Sequence, residues 1–128
     1  MTPGSTVVLD ASAVLALLHE EAGADEVEPL LDGALMSSVN LSEVIQKAEQ
    51  HGANTEGLEY DLEALGIAFR DFDVATARPA AELWSLGSGL SFGDRACVAL
   101  AQVAGATVVT ADRRWKPTKL PVEVRFVR

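Results

Sequence analysis

The sequence predicts an α/β fold with a mainly parallel central sheet. Short β-branched runs, such as Thr107 to Thr110, have the composition of strands buried on both faces. These runs alternate along the chain with segments whose apolar residues recur at helical spacing. The 128 residues contain no repeat, linker or low-complexity segment, so one domain spanning residues 1–128 is expected.

Five segments have the character of short strands, and glycines or turns separate them from the helices. The first is a β-branched run that ends at Asp10, and the fourth is followed two residues later by Asp112. The predicted strands are 6–10, 34–37, 67–72, 107–110 and 122–127.

Six segments are predicted to be helical, and most of them end at a glycine. The third helix places Leu41, Val44, Ile45 and Ala48 at helical spacing, with Gly52 after its end. The predicted helices are 11–20, 24–31, 39–51, 55–65, 73–86 and 91–103. Pro79 is expected to kink or split the fifth, residues 87–89 form a turn, and 52–57 is the expected flexible loop.

Composition restricts the protein class. Cys97 is the single cysteine, so no internal disulfide is possible, and no apolar run reaches the length of a membrane span. The N-terminus lacks the basic start and cleavage site of a signal peptide, which favours a cytoplasmic protein with no membrane association. Nearly half of the residues are apolar, so disorder is not expected.

The net charge of −9 is unevenly distributed. Lys47 is the only basic residue up to Glu63, and the charge of this half is −12, whereas the part from Ala64 onward carries +3. An acidic protein binds nucleic acid poorly without specific contacts. Any nucleic-acid contact would therefore use the basic C-terminal part, or metal ions that invert the local charge.

Four acidic residues are predicted to meet at one edge of the sheet. Asp10 and Asp112 follow strands, while Glu43 and Asp94 lie in the first turns of helices. The carboxyl ends of parallel strands, and the helix starts that follow them, lie at the edge where such sheets bind ligands.

Four carboxylates in one cleft repel each other unless some are protonated or a cation lies between them. Mg²⁺ suits such a site, because it takes oxygen ligands and retains several waters. The metal could activate a water and neutralise a phosphate in an in-line displacement.

Helix capping is the alternative explanation for each acid taken singly. Asp10 could simply cap the helix that follows it. Asn40 and Glu43 have capping-box spacing, and so do Ser91 and Asp94, while Asp112 could begin a short helical turn. Capping does not explain why all four acids fall on one predicted edge, although one carboxylate can serve both purposes.

The remaining chemical groups give weaker signals. His19 and His51 are expected at the surface, and Cys97 in the core. Trp84 is expected in the core, whereas Trp115, beside Arg113, Arg114 and Lys116, is the better candidate to stack on a nucleic-acid base. There is neither a nucleophile-elbow serine nor a phosphate-binding loop.

Four segments together resemble the PIN-domain toxins of bacterial VapBC toxin–antitoxin pairs. They are Val8-Leu9-Asp10-Ala11-Ser12-Ala13, Ser38-Val39-Asn40-Leu41-Ser42-Glu43-Val44, Leu90-Ser91-Phe92-Gly93-Asp94-Arg95-Ala96-Cys97 and Val109-Thr110-Ala111-Asp112-Arg113-Arg114-Trp115. They occur in the family's order and spacing, and the resemblance covers essentially the whole chain.

The resemblance implies a PIN-like α/β/α sandwich and a metal-dependent endoribonuclease that uses Mg²⁺ or Mn²⁺. Asp10 and Asp94 match the metal-ligand positions, and Glu43 and Asp112 match the other two acids, which would complete the metal shell, bind a second metal or orient the attacking water. The positions that match supporting polar residues are Ser12, Asn40 and Thr110. Possible contacts to RNA are Arg95, Arg113, Arg114 and Trp115.

The resemblance also implies partners. Members of this family usually form homodimers, and a cognate VapB-type antitoxin holds them inactive by covering the cleft, often with a basic side chain among the carboxylates. The expected substrate is RNA, such as transfer or ribosomal RNA.

Two other protein classes remain as alternatives. A catalytically silent PIN-like module could act through the antitoxin complex, although the intact set of acids argues against it. A phosphatase or phospho-acceptor domain is less well supported, because position 12 is Ser where the haloacid-dehalogenase pattern requires Asp.

Overall fold

The structure is a computed structural model that describes residues 6–84, 89–115 and 119–127. Its strands are β1 (Val7–Leu9), β2 (Leu35–Ser37), β3 (Ala68–Arg70), β4 (Thr107–Thr110) and β5 (Val124–Phe126). Its helices are α1 (Ala11–Leu18), α2 (Ala24–Val27), α3 (Ser38–Gln50), α4 (Leu58–Ala64), α5 (Val74–Trp84) and α6 (Phe92–Ala104), with 3₁₀ turns at Glu28–Leu30 and Arg113–Trp115.

The strands form one parallel sheet in the order β3-β2-β1-β4-β5. The central strand β1 pairs with β2 on one side and with β4 on the other, with Leu9 beside Val109. This arrangement confirms the predicted fold class. The chain order reverses on either side of β1, and this is the position at which open α/β sheets form a ligand crevice.

Side chains on the two faces of the sheet enter separate cores. Leu9, Met36 and Val109 pack with the helices α1 to α4. Val8, Leu35 and Val108 point to the opposite face, where they pack with residues of α5 and α6. The alternation follows from the two-residue period of a strand, and it produces an α/β/α sandwich.

The predicted helices are present, and several of them are shorter than predicted. The predicted 24–31 segment is a four-residue α-helix followed by a 3₁₀ turn at Pro29, and α4 begins three residues later than predicted. Pro79 lies inside α5, which runs without a break from Val74 to Trp84. The expected end of this helix at 85–86 and the turn residues 87–88 lie outside the described residues. Within the described ranges, no helix combines the length and the apolar character needed to cross a bilayer.

Candidate active site at the carboxyl edge of the sheet

Asp10 connects β1 to α1 and carries a carboxylate that is almost fully buried. Its residue exposure is 3%, and it is the N-cap of α1. The Oδ1 atom accepts a hydrogen bond from the Ala13 amide at 2.9 Å and from the Ser12 hydroxyl at 2.8 Å. The Oδ2 atom accepts one from the Thr110 hydroxyl at 2.5 Å. The carboxylate is therefore both the predicted cap and a rigidly oriented group at the centre of the sheet edge.

Two hydroxyl groups extend this network to the end of β4. The Ser12 Oγ atom accepts a hydrogen bond from the Ala111 amide at 2.9 Å, and Thr110 Oγ1 accepts one from the Asp112 amide at 2.9 Å. The two hydroxyl oxygens lie 3.2 Å apart. Ser12 and Thr110 thus hold the Asp10 carboxylate and the backbone leading to Asp112 in one arrangement.

Burial gives the Asp10 carboxyl an unusual affinity for protons. Loss of hydration raises its pKa from 3.8 to about 6, against the opposing effect of the bonds from Thr110, Ala13 and Ser12. The negative charge of Asp94 raises it further. A carboxylate with this combination of burial and like charge gains from a nearby cation, and such groups are concentrated at functional sites.

Glu43 approaches the same region from α3. The Asn40 Nδ2 atom donates to Glu43 Oε1 at 2.8 Å and to the Gly93 carbonyl at 3.0 Å, so that Asn40 links α3 to the start of α6. A side chain at Gly93 would collide with both oxygens of the Glu43 carboxylate. Glycine at position 93 therefore lets α6 lie directly against the Glu43 carboxylate.

Sequence reasoning missed the role of Gly93. The available signal was a glycine in the first turn of an otherwise strongly apolar helix, where it lowers helix stability and usually marks a close approach. Asn40 carries a second feature. Within the part of the chain that the structure describes, its Oδ1 atom is buried and has no hydrogen-bond partner.

Asp94 lies in the first turn of α6 and takes part in a capping box with Ser91. The Ser91 hydroxyl accepts from the Asp94 amide, and Asp94 Oδ2 accepts from the Ser91 amide, both at 3.2 Å. One turn further on, burial raises the pKa of the Cys97 thiol well above its usual value, and the charges of Asp10, Asp94 and Glu43 raise it further. The charges of these three acids therefore all act on one buried position of α6, and Cys97 lies in the core as predicted.

Asp112 differs from the other acids because its carboxylate is already paired with an arginine side chain. Arg114 donates from Nη2 to Oδ2 at 2.6 Å and from Nε to both carboxylate oxygens at 3.0 and 3.1 Å. The Arg114 amide also donates to Oδ1 at 3.0 Å. These bonds hold the pKa of Asp112 below its ordinary value. The Arg114 side chain itself is exposed to solvent.

The structure therefore brings Asp10, Glu43 and Asp94 into one electrostatic group and joins Asp112 to it through Thr110. Among the residues described, no three His, Cys, Asp or Glu side chains are arranged so that they could hold a metal ion directly. The donors fit a divalent cation in kind, because they are carboxylate oxygens and the buried Asn40 Oδ1 atom needs a polar partner.

Two predictions about tryptophans were wrong. Trp115 is 2% exposed and packs in the core between the sheet and α6, so its ring cannot stack on a base. Its 3₁₀ turn directs the side chain inward while the neighbouring Arg113 and Arg114 remain exposed. Trp84, expected in the core, is 73% exposed at the end of α5.

Arg95 is half-buried, and its contact with RNA stays a prediction. Its Nη1 atom donates to the Ala80 carbonyl of α5 at 3.2 Å, and its guanidinium carbon lies 5.7 Å from the centre of the Phe92 ring. Arg95 therefore joins α6 to α5. His19 and His51 are exposed as predicted, with ring centres 5.4 Å apart. Lys116 lies outside the described residues.

The fold and the group of buried and half-buried acids at its carboxyl edge define a class of α/β proteins with an acidic site at the strand crossover. A family model for the PIN domain matches residues 7–119 of the chain. The chain therefore belongs to the PIN-domain family. A comparison with curated proteins finds no match by sequence.

Several solved structures have the same fold over nearly the whole length of the chain. A DNA-bound VapBC complex from Salmonella typhimurium is 21% identical, with a TM-score of 0.72 and coverage of 97% of this chain and 99% of that one. A toxin–antitoxin complex from Klebsiella pneumoniae is 15% identical, with a TM-score of 0.77 and coverage of 95% and 98%. VapC20 of Mycobacterium tuberculosis, a toxin that cleaves the sarcin-ricin loop, is 18% identical, with a TM-score of 0.71 and coverage of 93% and 98%. At these identities the likeness shows the fold.

Proposed function

We propose that this protein is a divalent-metal-dependent endoribonuclease and the toxin of a type II toxin–antitoxin pair. The observation that supports this most strongly is the Asp10 carboxylate, buried at the sheet edge and oriented by Ser12 and Thr110, with the charge of Asp94 acting on it. A buried anion that is stabilised by hydrogen bonds yet repelled by its neighbours is suited to bind a hard cation.

Asp10 and Asp94 would hold the metal, Mg²⁺ or Mn²⁺. When bound, the ion would polarise the phosphate and lower the pKa of a water. Glu43, held by Asn40, would orient the attacking water or accept its proton. Asp112 would complete the outer part of the site, where Arg114 now neutralises it. Ser12 and Thr110 would keep the Asp10 carboxylate in its orientation.

RNA is the proposed substrate class, with transfer and ribosomal RNA as the first candidates. Support comes from the likeness to VapC20, which cleaves the sarcin-ricin loop. Arg113 and Arg114 are exposed beside Asp112 and would contact phosphates. The resemblance in fold to VapBC complexes supports a VapB-type antitoxin as partner, and the further proposal is a homodimer acting in the cytoplasm.

Cleavage of a total-RNA or transfer-RNA pool by purified, antitoxin-free protein tests this function. The reaction is run with Mg²⁺, with Mn²⁺ and with EDTA, and beside the variants Asp10→Asn and Asp25→Asn. Asp25 is exposed on α2, so the second variant is a matched control that changes the same charge away from the site. Discrete metal-dependent products are expected from the wild type and from Asp25→Asn, with none from Asp10→Asn.

Activity that survives in EDTA or in Asp10→Asn would refute the assignment of the site. Absence of cleavage by folded wild-type protein on every pool would instead favour the catalytically silent PIN-like module that acts through its antitoxin complex.

A further inference from the structure

A groove of about 460 Å³ opens directly beside the acidic site, between α3 and the start of α6. Its walls carry Glu43 of the site together with Ser42, Gln46, Ser91 and Phe92. Small-ligand sites commonly have volumes of about 300–1,000 Å³ and combine apolar surface with a few polar groups. The groove has this size and this mixture, and none of the roles proposed above uses it.

Phe92 supplies a fixed aromatic surface in this groove. The side chain is 49% exposed, although it is a large apolar group at the first position of α6. Phe72 contacts its ring edge to face at a centre-to-centre distance of 5.2 Å. Arg95, itself bonded to the Ala80 carbonyl, lies 5.7 Å from the ring centre. The ring is therefore held on two sides and still partly open to solvent.

The charges around the groove select what can enter it. Glu43 is the charged residue among its described lining groups, and the nearby Arg95 cation lies against the Phe92 ring, so the groove suits an uncharged ring better than a phosphate. The exposed cations Arg113 and Arg114 follow β4, whereas α3 follows β2. The strand β1, which ends at Asp10, lies between these two strands.

We propose that this groove is a subsite that takes one unpaired nucleobase of the RNA, stacked on Phe92, next to the bond that is cleaved. The inference rests on the proposed ribonuclease function and adds to it a subsite that binds one base. A base can offer its face to Phe92 only when it has left a duplex stack. The Gln46 amide and the Ser42 and Ser91 hydroxyls are exposed and can donate to and accept from the edge of the base.

Binding measurements test the subsite independently of catalysis. All proteins carry Asp10→Asn, and the probes are fluorescent single-stranded RNA oligomers of random sequence and abasic oligomers with the same backbone. Phe92→Leu keeps an apolar side chain but removes the aromatic face, and it should weaken binding of the base-containing RNA about fivefold to a hundredfold. Phe92→Tyr keeps the face and should bind as the parent does. Abasic RNA should bind the parent and Phe92→Leu equally.

Tyr60→Leu is the matched control, because Tyr60 is 71% exposed on α4, outside the groove. It should leave both affinities unchanged. Equal binding of base-containing RNA by the parent and Phe92→Leu would overturn the proposal, and so would an equal loss for abasic RNA, which would reveal a structural effect of the substitution.

The second readout is cleavage mapping, in which every protein retains Asp10 and therefore the complete site. Phe92→Leu should raise KM with little change in kcat, because stacking is lost from substrate and transition state alike. Gln46→Ala should change the base preferred at one position beside the cut, and an unaltered preference would remove Gln46 from the subsite. Phe92-dependent binding without any wild-type cleavage would refute the nuclease and retain the subsite. Normal cleavage together with binding that does not depend on Phe92 would retain the nuclease and refute the subsite.

Discussion

The hydroxyl of Thr110 donates to the Asp10 carboxylate at 2.5 Å, across 100 positions of sequence. The same hydroxyl oxygen accepts a hydrogen bond from the Asp112 amide, so one side chain at the end of β4 orients the Asp10 carboxylate and holds the backbone of Asp112. Because Thr110 and Asp10 are both buried, this hydrogen bond is shielded from water and is stronger than the same contact at the surface.

Thr110→Val should raise the pKa of Asp10 and lower the free energy of unfolding more than a valine substitution elsewhere in β4. The Thr110 hydrogen bond lowers the pKa of Asp10, so the substitution should raise that pKa above about 6. An unsatisfied buried acceptor costs about 1–3 kcal/mol of unfolding free energy at pH 7. Thr107→Val, at the half-buried start of the same strand, is the control, since its contact with Glu123 is 3.4 Å long. Equal losses in the two variants, measured by urea denaturation, would contradict the prediction.

Metal-free wild type should lose stability as the pH rises through the pKa of Asp10. The folded-state pKa of about 6 lies above the ordinary 3.8, so the folded state binds the extra proton between these values. The unfolding free energy contributed by Asp10 is therefore fully present below about pH 4 and declines by up to about 3 kcal/mol as the pH passes 6.

Asp10→Asn cannot titrate at this position, so its stability relative to wild type should increase over the same pH range. Chemical denaturation in EDTA at several pH values measures the difference, and parallel profiles for the two proteins would count against a raised pKa. If Asp10 binds a metal, Mg²⁺ at pH 7 should stabilise the wild type and leave Asp10→Asn unchanged.

Gly93→Ala should reduce cleavage while leaving the fold intact. The new methyl group would displace the Glu43 carboxylate, which is the flexible end of a side chain, so the steric cost is small. Alanine also favours the helix by up to about 1 kcal/mol. We expect a melting temperature at or above that of the wild type and a fall in kcat.

The double variant of Gly93→Ala with Glu43→Gln tests this pathway. If Gly93 acts through Glu43, the double variant should be no slower than Glu43→Gln alone, as a double-mutant cycle would report. Additive losses would mean that Gly93 affects another part of the site.

Arg114→Gln should raise the pKa of Asp112 towards its ordinary value. The hydrogen bonds from Arg114 are the largest cause of the lowered pKa, and a neutral amide cannot replace their charge. Because the Arg114 side chain is exposed, the melting temperature at pH 7 should scarcely change. A carboxyl NMR titration measures the pKa. Arg113→Gln, which removes the neighbouring exposed charge, is the control and should leave Asp112 much closer to its wild-type value.

Much of the fold could be read from local patterns. Three β-branched residues before Asp10 were enough to predict a buried strand, and the four residues of β4 have their predicted bounds. A strand of this type needs burial on both faces, which requires helices on both sides of a parallel sheet. The carboxyl ends of such strands share one edge, so the regional placement of Asp10 and Asp112 also followed from the sequence.

The tertiary structure alone decided which side chains are buried and which acids are already paired. Trp84 and Trp115 exchanged their expected places, because burial depends on where a neighbouring helix ends and which face a 3₁₀ turn presents. The contact of Gly93 with Glu43 and the groove beside Phe92 arise where α6 crosses α3. Composition and periodicity determine each element and its apolar face, whereas contacts between distant segments depend on packing geometry that no local pattern encodes.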